Sequence, residues 1–123
     1  MAQKTMKTPP ADVTGFWSGT TNDESFGQGD GCFELTQNKS GSSIVKKASG
    51  FSFTWPGGAF AYAPVSGMVK GSAVTLKGNA FKCPVKFSGV VNSQGTELTG
   101  TYTFSGQCAK KDGFTGGTFD FEP

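Results

Sequence analysis

The chemistry open to this chain is bounded first by what it lacks. Its basic residues are all lysines; among the 123 residues there is no histidine and no arginine. Histidine-based nucleophilic catalysis and histidine-ligated zinc are thereby excluded. The bidentate guanidinium contacts that read phosphates or guanine are missing too, so no nucleic-acid partner is expected. Carboxylates remain. Glu34 and Glu97 fall on the outward parity of strand-like stretches, and Asp120 lies opposite Phe119 and Phe121. Together with Glu122 they give no pair facing across a cleft, as glycoside hydrolysis would need. Asp23, Glu24 and Asp30 crowd one Gly-rich stretch, but their spacing is not that of an EF-hand loop, and no metal or cofactor is expected. No constellation argues for an enzyme; a barrel enzyme without histidine chemistry ranks last of three readings.

Aromatic rings are the stronger signal. Trp55, Phe60 and Tyr62 bracket Pro56-Gly57-Gly58, where proline fixes φ and the glycines permit reversal. Rings held at such a turn can flank a barrel mouth, with Tyr62 offering a hydroxyl, so these are the expected ligand-binding residues. The ligand would be small and apolar or aromatic. The competing reading is plain burial of the rings against neighbouring strands. Phe33, Phe53, Phe87, Phe104, Phe119 and Phe121 either line a cavity or fill the interior. Lysines 46, 47, 70, 77, 82, 86, 110 and 111 alternate outward, as solvated faces usually do.

The three cysteines permit three single-disulfide pairings with one thiol left over. Cys83 and Cys108 lie near the open end of one hairpin and are the expected bridge, with Cys32 unpaired.

The element that positions these groups is clearest at residues 83–104. Val85, Phe87, Gly89 and Val91 share one face of a first strand, and Leu98, Gly100, Tyr102 and Phe104 share one face of a second. A period of two with one apolar face marks half-buried antiparallel strands. Asn92-Ser93-Gln94-Gly95 supplies the turn. An apolar-Ser/Thr-Gly unit recurs as VTGFW, VSGMV, FSGVV and LTGTY. It puts Gly15, Gly67, Gly89 and Gly100 on the apolar face, where absent side chains allow strong coiling or room for a neighbouring ring.

Strands are expected at residues 13–21, 32–37, 43–54, 59–69, 72–77, the two arms of that hairpin, and 114–122. Residues 22–31 read as a loop, Ser49-Gly50 as a bulge, and Pro64 as an edge, bulge or break. The fold expected is all-β, a single-domain antiparallel eight-stranded up-and-down barrel, with a two-sheet sandwich as the alternative. Residues 1–12 form a flexible arm and residues 13–123 the barrel domain. No apolar run reaches spanning length, and the first twelve residues lack the apolar core of a signal peptide. That N-terminus suits either the start of a cytosolic protein or a mature N-terminus behind an added Met. The sparse cysteines in a Gly-, Ser- and Thr-rich β chain favour the second, an exported protein, periplasmic or extracellular, whose signal peptide is not in this chain.

An eight-stranded meander opening on TGFW (Thr14 to Trp17) resembles the calycin superfamily of lipocalins, fatty-acid-binding proteins and avidins. VSGMVKGSAVTL is similar to the avidin pattern of a Gly-marked strand, a tight turn and an alternating strand. The resemblance implies that Gly15 and Trp17 are structural, the indole packing across one barrel end. It implies a binding fold, but not biotin, because only Trp17 and Trp55 are present and avidins use several tryptophans. The late arginine or lysine that calycins set against that indole has no evident counterpart. A small-ligand-binding barrel is therefore the first reading. The second is a structural or interaction barrel with a filled core, in which a homo-oligomer is an option.

Overall fold

The computed structural model describes residues 9–56, 58–80, 83–106 and 115–123, with only the backbone of residues 58–61 and 80. The strands are β1 (Gly15–Asp23), β2 (Gly27–Leu35), β3 (Ser43–Ile44), β4 (Gly50–Trp55), β5 (Gly58–Lys70), β6 (Ala73–Ala80), β7 (Cys83–Val91), β8 (Leu98–Phe104) and β9 (Gly116–Glu122). Strict alternation builds them: in β7 Cys83, Val85, Phe87, Gly89 and Val91 are buried and the four residues between them are exposed.

Each strand pairs antiparallel with its neighbours in the order β5-β4-β2-β1-β9-β8-β7-β6, and β6 pairs back onto β5. The ring is closed, and the eight-stranded barrel, not the sandwich, is the fold. β3 lies on β5 beyond the end of β4, so β3, a single 3-10 turn (Lys46–Ala48) and β4 make one interrupted stave. The interruption sits where the apolar parity of residues 43–54 changes. Pro64 faces Gly50, and the register between β4 and β5 shifts just beyond, between Phe51 and Phe53. No helix among the described residues is long and apolar enough to cross a membrane.

The expected loop at residues 22–31 is corrected. β1 runs on to Asp23 and β2 starts at Gly27, which leaves residues 24–26 as the connection. Glycine there serves packing more than turning. A Cβ on Gly29 would strike the Thr54 carbonyl of β4 and come within 2.9 Å of Trp55 Cδ1, and one on Gly31 within 2.7 Å of Phe53 Cδ1 and 2.9 Å of Phe121 Cζ. Composition reads a Gly-rich run as loop, whereas a small barrel with large inner rings needs glycine in its wall.

The repeated glycines divide in the same way. Added Cβ atoms on Gly89 and Gly100 would lie 3.0 and 2.9 Å from Phe119 Cζ, so both face the interior. Gly67 sits where a Cβ would strike the β6 backbone. Gly15 departs from the expected inward placement: it is exposed, with φ +136° and nothing within 4 Å of an added Cβ. At the first residue of β1 it supplies a backbone angle rather than room.

Phe33, Phe51, Phe53, Phe87 and Phe121 are fully buried. Phe33 stands among the rings of Phe53, Phe87, Phe119 and Phe121, with centroids 5.0 to 5.8 Å apart. Aromatic side chains thus fill the middle of the barrel, and burying each stabilises by roughly 2–3 kcal/mol.

One end is closed by the chain entering β1. Val13 is buried, and Trp17, also buried, donates its indole N–H to the Val13 carbonyl at 2.9 Å. Gln37 fastens the same segment: its Oε1 accepts from the Val13 and Thr14 amides, and its Nε2 donates to the carbonyls of Ala11 and Gly41. The Ala11 amide donates to the Gly71 carbonyl, so the attachment begins within the expected arm, at Ala11.

Candidate functional site at the loop-bearing end

The opposite end carries the β1–β2, β4–β5, β6–β7 and β8–β9 connections. There the interior changes character. Thr21 and Asp23 follow Trp17 and Gly19 along the inward parity of β1, and Thr21 and Asp23 are both buried. Trp55, the last residue of β4, is buried and stacks with two rings. Phe26 lies 6.1 Å away at an interplanar angle of 28°, and Tyr102 of β8 lies 6.0 Å away at 29°. Phe26 reaches in from the short β1–β2 connection and is half-buried.

Asp23 holds this end together. Its Oδ2 accepts the Tyr102 hydroxyl at 2.8 Å, and its Oδ1 accepts the amides of Ser25 and Phe26 at 2.9 and 3.1 Å. One carboxylate thus shapes the turn that presents Phe26 and anchors the ring beneath Trp55. Gly117 makes the anchor fit, because a Cβ there would lie 2.8 Å from the Tyr102 hydroxyl oxygen. Burial pushes the Tyr102 phenol far above its ordinary value; Asp23 adds to this, and the Trp55 side chain opposes it. Tyr102 stays protonated and Asp23 is committed to three donors, so the pair acts as a lock and not as an acid–base couple. Among the described residues the buried Thr21 hydroxyl has no hydrogen-bond partner. A groove of about 630 Å³ lies beside this end on the β1–β9–β8 wall, lined largely by outward residues such as Asn22, Thr101, Thr103 and Thr118; Trp55 and Phe26 do not line it.

The rim expected from Trp55, Phe60 and Tyr62 is distributed otherwise. Trp55 points inward, whereas Tyr62 is 57 % exposed on the outer wall, its ring lying over Gly50 and its hydroxyl hydrogen-bonded to Glu34. The cause is parity: Ala63 and Val65 take the inward positions of β5, which turns Tyr62 out. The side chain of Phe60 lies outside the described residues. Among the cysteines, Cys32 is a free thiol on the outer wall opposite Ser52, pushed up first by burial. Cys83 is buried at the start of β7, and Cys108 lies outside the described residues.

Among the described residues no cluster of carboxylate and thiol side chains is built to hold a metal ion. The carboxyl of Glu97 is raised by its hydrogen bond to Asp120 and then by the charge of that neighbour, an exposed pairing on the outer wall. Sequence reading does not reach Phe26 or Thr21; it places Asp23 only among the acids of a loop and Tyr102 only on the apolar face of its strand. The available signal was parity, since Thr21 and Asp23 continue the face that begins at Trp17. Neither a known protein family, nor a curated protein, nor a solved structure matches this chain.

Proposed function

We propose that this protein is a non-enzymatic binding barrel that takes a small, flat, apolar or aromatic ligand at its loop-bearing end, against the rings of Trp55 and Tyr102. The observation that carries the reading is the near-parallel stacking of Trp55 with both Phe26 and Tyr102, in an interior where Phe33, Phe51 and Phe53 meet their neighbours edge-on or tilted. Phe26 comes from a three-residue connection, so an incoming ring can take its place without disturbing a strand. The filled middle argues for a shallow site rather than a deep calyx, and such a site needs no histidine, arginine or metal.

Titration with aromatic dyes, retinoids and fatty acids is expected to change the Trp55 fluorescence, while Trp17 at the closed end stays constant. Phe26→Ala removes the competing ring and should tighten binding several-fold, in line with about 1 kcal/mol for an aromatic pair. Trp55→Phe should abolish the response. Silence of Trp55 in both the native protein and Phe26→Ala would refute the reading. The second reading, an interaction barrel, draws on the exposed Phe16, Tyr62, Met68 and Val90 of the outer wall. It expects a stable oligomer or partner complex and no Trp55 response.

The proposal includes the calycin-type assignment and export to an oxidising compartment, with a bridge from Cys83 to Cys108. A non-reduced digest should then yield one linked peptide, with Cys32 alone alkylated. Three alkylatable thiols would remove the bridge and the argument for export together.

A further inference from the structure

We propose that the outer wall built by β5, β6 and β7 carries a second binding site, for a small organic anion bearing phosphate groups. A groove of about 570 Å³ runs along this wall, and Lys46, Lys77 and Lys86 all line it. No carboxylate lines it among the described residues.

The register makes this lysine grouping unusual. Lys77 stands directly opposite Lys86, with Ser66 on its other side, and Lys86 has Thr103 on its own other side. Two positions away along the same face stand Thr75, Asn79, Pro84 and Ser88, none of them acidic. Like charges directly opposite in an antiparallel pair repel each other and cost stability. Solubility alone would be served as well by a carboxylate at either position. Edge protection, the usual use of strand lysines, does not apply, because β6 and β7 are inner staves of a closed ring. The 3-10 turn adds a third ammonium from a different stave.

Three lysines thus line one concavity, where a low-dielectric wall focuses their field. A ligand with two negative charges would relieve the repulsion that the bare protein carries. Pro64 and Pro84 give that wall an apolar component for the carbon skeleton of the ligand, and the volume suits a sugar-sized molecule. The site lies on a different part of the wall from the Trp55–Tyr102 end and does not depend on it.

The test is an amide NMR titration of the native protein with inorganic pyrophosphate and with a sugar bisphosphate. Saturable shifts confined to β5–β7, centred on Ser66, Gly78 and Asn79, are expected. The double variant Lys77→Gln, Lys86→Gln should weaken binding by about tenfold or more, as the loss of charge-assisted hydrogen bonds implies. The control pair Lys39→Gln, Lys70→Gln should change it less than about twofold. Without ligand, Lys86→Gln should leave the melting temperature unchanged or raise it, because a repulsion has gone. The absence of saturable shifts, equal weakening by the control pair, or a melting temperature lowered by Lys86→Gln would each overturn the proposal. Vesicles containing phosphatidylglycerol separate the source of the phosphate. Binding to vesicles without a response to the soluble compounds would assign the wall to a lipid headgroup and reject the small-molecule site.

Discussion

Gly67→Ala is expected to destabilise the barrel by about 3 kcal/mol, at the upper end of overpacking costs. Gly67 of β5 stands between Ile44 of β3 and Leu76 of β6, where three staves come together. A Cβ there would fall inside contact distance of the Thr75 carbonyl oxygen and lie 2.9 Å from Leu76 Cα. Both obstacles are backbone, so no rotamer change can absorb the methyl group; the β5–β6 seam itself must open. Gly89 provides the contrast. Its added Cβ would meet Phe119 Cζ at 3.0 Å and Leu98 Cδ1 at 3.4 Å, atoms able to shift, along with the Thr99 carbonyl oxygen at 2.9 Å. Gly89→Ala should therefore cost about 1–2 kcal/mol. Urea unfolding of both variants measures the difference, and a Gly67→Ala protein as stable as the native one would show that these strands do not approach so closely.

Asp23→Ala should be of similar size, roughly 3 kcal/mol, because it leaves three buried or half-buried donors without their acceptor: the Tyr102 hydroxyl and the amides of Ser25 and Phe26. Tyr102→Phe removes one donor and should cost about 1–2 kcal/mol. The double variant should cost less than the sum, since the two residues share a bond. An alkaline signature accompanies the pair. Tyr102 keeps its proton in the folded state well above the ordinary phenol value of 10.0, whereas the unfolded chain releases it there. The folded state then holds more protons than the unfolded one, so this contribution is complete below pH 10 and is lost progressively as pH rises further. Tyr102→Phe should flatten that decline. Thermal melts between neutral pH and alkaline pH decide the point, and an identical alkaline slope in the variant would mean that Tyr102 is not held this way.

The contrast between these two sites shows what could be read from the sequence. Alternation in residues 83–104 reports a local, two-residue period, and it located β7 and β8, the inward Phe87 and Tyr102, and the barrel as a whole. The glycines of β2 defeated the same reading, because Gly29 answers to the Thr54 backbone and the Trp55 ring, and Gly31 to the rings of Phe53 and Phe121, all on other strands. The Asp23–Tyr102 bond joins residues 79 apart, and no short motif marks it. Gln37, which ties down the chain before β1, looked like one more polar residue at the end of a strand. Trp55 and Tyr62 were grouped by nearness in sequence, whereas the wall between them sends one ring in and the other out. The lysine pair needs register as well: Lys77 and Lys86 each read as solvated until the β6–β7 pairing sets them opposite each other.

Ring closure by β1 and β9 has a consequence for how the protein is made. Every other long pairing in the ring joins staves that follow one another in the chain, but Ser18 meets Glu122 and Asp23 meets Gly117 across nearly its whole length. As the polypeptide leaves the ribosome, β1 can pair with β2 within moments, yet its other edge stays bare until the last strand has been synthesised. Until then a nascent sheet rich in Phe has two open edges, the arrangement most prone to pairing with another chain. The seven residues of β9 are thus the final stave and also the event that ends the exposure of every stave before it.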